Sequence, residues 1–148
     1  MSEELKETST AVHAHLTIMQ SVIQRMASNS SSCKAWCITL VSAILVIVAD
    51  KGKPQYASIA VIPTLLFYIL DSYYLALEKE FRESYNNFVE KLHNRKIAVN
   101  DLFLVAPAGD IVGSFFKAVF SFSTFPFYAV LILMIYIAQT LVIGSVSK

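Results

Sequence analysis

Apolar and polar positions follow helical periods over most of this chain, and the periods change character along it. Val12, Leu16, Met19, Ile23 and Met26 recur at steps of four and three, so Ser2 to about Asn29 is expected to form an amphipathic helix. Ile18 and Val22 widen its apolar stripe. Such a helix packs on its own protein, lies on a membrane surface or mediates self-assembly. Asn29 and the run Ser30-Ser31-Ser32 predict a turn or interruption. The stretch Cys33 to Ala49 then reads as a short transmembrane helix, with Lys34 and Trp36 as interfacial anchors.

Asp50 to Pro54 is a polar turn, which makes the next apolar block antiparallel to the first. Pro54 to Leu77 holds 24 residues and one formal charge, Asp71. A helix of that length covers about 36 Å, enough for the roughly 30 Å hydrocarbon core of a bilayer. Pro63 removes one backbone donor and favours a kink. Beyond Leu77 the apolar stripe narrows to Phe81, Tyr85, Phe88 and Leu92, so the helix is expected to leave the membrane as a stalk reaching about Lys96.

Ile97 to Gly109 is apolar but too short to span, and suits a re-entrant piece, a lid or an oligomer contact. Asp110 is placed to cap a helix with Ile111, Val112, Phe115, Phe116, Val119 and Phe120 on one side and Ser114, Lys117 and Ser121 on the other. That helix reads as interfacial. Ala118 to Ser147 is uncharged over 30 residues, of which the part up to Pro126 is expected along the membrane boundary and Phe127 to Gly144 as the span proper.

The expected fold is therefore an all-α integral membrane protein with three transmembrane helices. Residues 1–32 form a cytoplasmic amphipathic helix, 33–81 a transmembrane hairpin, 82–117 a cytoplasmic stalk and interfacial lid, and 118–148 the third transmembrane helix. Composition agrees, since 55% hydrophobic residues and a mean hydropathy of +0.56 exceed what 148 residues can bury in a soluble core. The formal net charge of +1 gives no global field for a nucleic-acid partner. Acidic Glu3, Glu4 and Glu7 before any apolar run do not resemble a signal peptide, so the N-terminal segment is expected to persist.

Basic residues set the expected topology. Lys6, Arg25 and Lys34 precede the first span, and Lys79, Arg82, Lys91, Arg95, Lys96 and Lys117 lie between the second and third. Only Lys51, Lys53 and Lys148 fall on the other side. The N-terminus and the central segment are thus assigned to the cytoplasm and the C-terminus to the outside; the bacterial inner membrane, with a periplasmic C-terminus, follows only from the resemblance described below.

No catalytic constellation is present. His13 and His15 point to different sides of a helix, and Cys33 with Cys37 lack a second ligand pair, so neither metal nor cofactor is expected and the cysteines read as free thiols. No Gly-rich phosphate loop, GxSxG or HExxH motif occurs, and Arg82 and His93 are too far apart for a HEPN-type ribonuclease. The protein is not expected to be an enzyme.

What stands out is a polar stripe on the second span. Thr64, Tyr68, Asp71, Glu78, Arg82 and Tyr85, with Leu75 between them, share one helical face. An acid inside a span is a functional candidate by default. Thr64, Tyr68, Asp71 and Glu78 are pore or gate candidates if several copies turn this face inward. The alternatives are an Asp71 buried between helices and hydrogen-bonded to Tyr or Thr groups, or a proton relay. A weaker stripe comprises Tyr128, Tyr136, Gln139 and Thr140. Arg82, Lys91, His93, Arg95 and Lys96 form the candidate contact for anionic lipid or for an anionic regulator such as a nucleotide or oligonucleotide.

The segments HLTIMQSVIQRMASNSSSCKAWCITLVSAILVIVAD and IPTLLFYILDSYYLALEKEFRESYNNFV resemble a family of small bacterial integral membrane proteins. Some of these look like membrane effectors of anti-phage defence, and the Hailong-type channel effector is the nearest analogue. The resemblance covers about His15 to Val89. It implies a homo-oligomeric ion channel, a tetramer being one candidate, gated by a nucleotide species from a partner nucleotidyltransferase and depolarising the membrane. The competing expectations are a non-conducting anchor or scaffold that recruits a soluble partner, and a holin-like toxin.

Overall fold

The computed structural model describes residues 9–143, which are mainly helical, with irregular loop at 96–98 and 104–108 and no strand among the described residues. Its longest element is α1, Thr10–Lys51, one continuous helix of 42 residues. The expected interruption at Ser30 to Ser32 does not occur, because serine costs little in a helix when its hydroxyl finds a partner off its own backbone. Ser30 does so across to Asp71. The expected N-terminal amphipathic helix and first span are therefore one rod; residues 1–8 lie outside the described part.

Gly52 ends α1 in the left-handed region, φ 61°, with Gly52 N bonded to Ala49 O and Lys53 N to Val48 O. A tight 3-10 segment, Pro54–Ala60, turns the chain back into α2, Val61–His93. Pro63 thus falls in the first turn of α2, just after the chain changes from 3-10 to α-helix between Ala60 and Val61. At the far end Arg95 takes φ 55°, with Lys96 N bonded to Lys91 O and Arg95 N to Leu92 O. These are the paired bonds of a Schellman cap, with an arginine where glycine is usual.

α1 and α2 run antiparallel along their length. His15 packs on Phe88, Gln20 reaches Tyr85, Ser30 meets Asp71, and Val48 packs beside Ala57. The apolar windows of both helices are long enough to cross a membrane. The second half of the chain covers this hairpin. A loop with a short turn at Val99–Asp101 leads to α3, Ile111–Val119, capped as expected by the Asp110 side chain on Val112 N. α4, Phe125–Ile137, packs its Tyr128, Leu131 and Ile135 with Cys37, Val41 and Ala60, then widens into a π-helical turn, Ala138–Ile143. Residue 144 and beyond, the end of the expected third span, lie outside the described residues.

α3, the helix expected to be interfacial, runs alongside α2. It begins beside Glu80, where Ala108 N bonds to Glu80 O at 3.2 Å, and ends beside Tyr68, whose hydroxyl donates to Val119 O at 2.6 Å. The expected division into an apolar and a polar side holds only in part, since Lys117 is exposed together with phenylalanines and Ser114 is not. Ser114 turns inward to donate to the buried Glu80 carboxylate, while Val112, Phe116 and Phe120 are exposed.

Candidate functional site

Between Arg25 and Asp50 the only charged residue of α1 is Lys34, and between Lys53 and Glu78 the only one on the return path is Asp71. The antiparallel register brings these two together. Lys34 Nζ stands 2.6 Å from Asp71 Oδ2, and Ser30 Oγ donates to Asp71 Oδ1 at 2.5 Å. Lys34 Nζ also donates to Ser30 Oγ at 3.4 Å, closing a three-membered polar cluster. Ser30 and Lys34 are one helical turn apart on α1, so both can reach one carboxylate. Asp71 is fully buried and Lys34 mostly so, with side-chain exposures of 0% and 22%.

A lone carboxylate or ammonium in such surroundings costs several kcal/mol of desolvation, and only close pairing with further hydrogen bonds offsets it. The cluster supplies both. Lys34 is therefore not the interfacial anchor that its position near Trp36 suggested; its ammonium is directed at Asp71, while Trp36 is exposed. Ser30 and Lys34 were the residues missed in the sequence. The available signal was charge complementarity, one cation and one anion in two adjacent apolar stretches of opposite direction.

The other pore or gate candidates divide. Thr64 is buried and donates to Ala60 O, satisfying its hydroxyl within its own helix. Tyr68 departs from the Asp71 face to cap Val119 O and packs against Tyr128 with ring centroids 4.9 Å apart. Tyr128 in turn donates to Phe67 O at 3.2 Å, the carbonyl one turn before Asp71. Glu78 pairs with Arg82 at 2.8 Å, an i, i+4 bridge near the protein surface. Within the single chain the Thr64 and Asp71 part of the stripe meets α1, and the cysteines Cys33 and Cys37 lie buried as free thiols along α1.

The basic candidates are dispersed by ion pairing. Arg82 is held by Glu78, and Lys91 by Asp101 at 3.1 Å, while no ion pair involves His93, Arg95 or Lys96 among the described residues. Beside them lies an open groove of about 500 Å³ with His15, Asn87, Lys91, Asn94, Lys96 and Asp101 among its walls. His15, almost fully buried, accepts a hydrogen bond at Nδ1 from Phe103 N at 3.0 Å and packs on Phe88 with centroids 4.3 Å apart. Burial lowers its pKa below the usual histidine value, partly countered by the Asp101 carboxylate. Asp101 is held below the usual carboxylate range by the Ala98 N–H and by Lys91. No group of three or more potential metal ligands occurs among the described residues.

No protein-family model, no curated protein and no solved structure matches the chain.

Proposed function

We propose that the chain is a membrane-embedded, homo-oligomeric ion-conducting effector in which the Lys34–Ser30–Asp71 cluster is the gating latch. The observation that carries this reading is the buried ion pair joining the two apolar helices. A charge pair at this depth is an expensive way to fasten two helices that apolar side chains could fasten as well. Its use is more readily understood if the pair also opens. Asp71 held by Lys34 is unavailable to a cation path; Asp71 released from Lys34 is a fixed negative charge in an apolar setting, the feature that concentrates cations. The uninterrupted α1 and α2 connect the latch to the groove beside His15 and Lys96. An anionic signal, a nucleotide or oligonucleotide made by a partner nucleotidyltransferase, would act there on the same two helices that carry the latch. The distribution of basic residues favours the cytoplasmic side for the groove, and the resemblance implies the inner membrane.

One observation also favours a second reading. Ser30 and Lys34 engage both oxygens of Asp71, as expected of a static clasp in a non-conducting anchor. Planar-bilayer recordings of purified wild type, Lys34→Met and the swapped pair Lys34→Asp/Asp71→Lys separate the two. A latch predicts conductance in the wild type under one ligand condition, ligand-independent conductance in Lys34→Met, where Asp71 stands released, and partial restoration of gating in the swap. Silence of all three proteins, with and without oligonucleotides, would overturn the channel reading and leave the clasp.

A further inference from the structure

We infer that α3 and α4 are two halves of one discontinuous membrane crossing, and that the outer face of α3 is a contact surface for lipid acyl chains. The inference rests on the membrane reading above but not on conduction. Its basis is the order of contacts along α2. Ala108 and Ser114 meet Glu80, Val119 meets Tyr68, Tyr128 meets Phe67, and Ile135 packs near Ala60. Glu80 to Tyr68 is about 18 Å along the helix axis, so the chain descends beside α2 through α3 before α4 continues in the same direction.

Much of the backbone at the break between the halves is paired locally, the condition for placing a break within hydrocarbon. Ser121 N bonds to Ala118 O, Thr124 N and Phe125 N bond to Ser121 O, and the Thr124 hydroxyl donates to Ala118 O. The placement of side chains on α3 fits the same setting. Its hydroxyl, Ser114, is turned inward to Glu80, and Val112, Phe116 and Phe120, spaced four apart, form an exposed apolar ridge. Phe122, 94% exposed in the break, extends the ridge to Phe125 and the exposed apolar side of α4. Water would penalise such a surface, and acyl chains would not. Lys117 is the one cation on α3. Helical side chains lean toward their own N-terminus, which here is the Glu80 end, so its long stem can carry the ammonium back toward the head groups.

Depth-resolved fluorescence quenching tests this in the full chain. Trp36 is replaced by Phe, and single tryptophans are placed at Val112, Phe116, Phe122 and, as a reference on α4, Leu133. Each protein is reconstituted in phosphatidylcholine vesicles brominated at upper or at lower acyl-chain carbons. The expected result is quenching at all four positions, with Val112→Trp favouring the upper bromines and Phe122→Trp the lower ones. Equal depth at Val112 and Phe122 would overturn a descending α3 in favour of a flat one. Unquenched Phe116→Trp and Phe122→Trp beside a quenched Leu133→Trp would overturn the lipid contact, and cross-linking between Phe116→Cys protomers would then identify a second copy as the cover. Absence of quenching at Leu133→Trp as well would overturn the membrane reading itself. The aromatic exchanges at Phe116 and Phe122 keep the experiment decisive if Val112→Trp fails to fold.

Discussion

Lys34 Nζ and Asp71 Oδ2 lie 2.6 Å apart, joining residues on two antiparallel helices within otherwise uncharged stretches. Removing one partner leaves the other buried without its counter-charge, so Asp71→Asn or Lys34→Met alone should destabilise the fold by about 3 kcal/mol, the low end for buried pairs because Lys34 keeps some exposure. Replacing both at once, Lys34→Met with Asp71→Leu, removes the unpaired charge and should recover most of that loss. Thermal melts in detergent, arranged as a double-mutant cycle, measure the coupling. Additive effects would mean that the pair is not an energetic unit.

The two apolar hairpin arms, the reversal at Gly52 and Lys53 inside the expected Asp50 to Pro54 turn, and the Asp110 cap could all be read in the sequence, since each depends on local pattern. What could not be read depended on which surface a residue meets. Ser30 to Ser32 looked like a helix stop because serine competes for its own backbone, and only the position of Asp71 on the facing helix gives Ser30 another partner. Lys34 looked like an anchor because cations usually flank spans. Ser114 was grouped with Lys117 and Ser121 on one polar side, and Glu80 on α2 draws it away from them and inward. In each case a partner more than thirty residues away reversed a sound local rule.

The histidine in the groove makes the lid over α1 sensitive to acid. Nδ1 of His15 accepts the Phe103 N–H, and a protonated ring cannot accept. The groups facing it are Asp101, from the short turn, and Lys91 of α2 and Lys96 beyond it, which line the same groove. Since the folded pKa is lowered, the contribution of His15 is fully present above the unfolded value of about 6.5 and is lost as pH falls toward the folded one. Protection factors of the amides around Phe103 should fall between pH 7 and pH 5, their exchange slowing less than the intrinsic rate does. His15→Gln should abolish that pH dependence; an unchanged profile would refute the assignment.

Gly109 and Gly52 both adopt positive φ, 76° and 61°, yet their surroundings differ. A Cβ at Gly52 meets nothing within 4 Å, whereas one at Gly109 falls 2.9 Å from Glu80 Oε2. Gly52→Ala should therefore cost about 1 kcal/mol, the conformational penalty alone. Gly109→Ala adds displacement of the buried Glu80 carboxylate and should loosen α3 from α2. Limited proteolysis near residue 108 would show it as faster cleavage in Gly109→Ala than in Gly52→Ala. Equal protection in both would mean that Glu80 yields without releasing α3.

Arg95 separates stability from binding at the basic end of α2. Its backbone sits at φ 55°, a region that costs a side-chain-bearing residue about 1–2 kcal/mol, while glycine in the unfolded chain gives back about 0.4–1 kcal/mol of that difference. Arg95→Gly should therefore stabilise the fold by up to about 1.6 kcal/mol and keep the cap formed by Lys96 N on Lys91 O. If the patch of His93, Arg95 and Lys96 holds an anionic signal, the same substitution should weaken oligonucleotide binding several-fold and flatten its salt dependence, because one phosphate contact is lost. Melting temperature and binding isotherms on the same preparation give both readings. A protein more stable than wild type that binds less tightly would assign Arg95 to ligand capture. Unchanged binding would assign it to closing the helix alone.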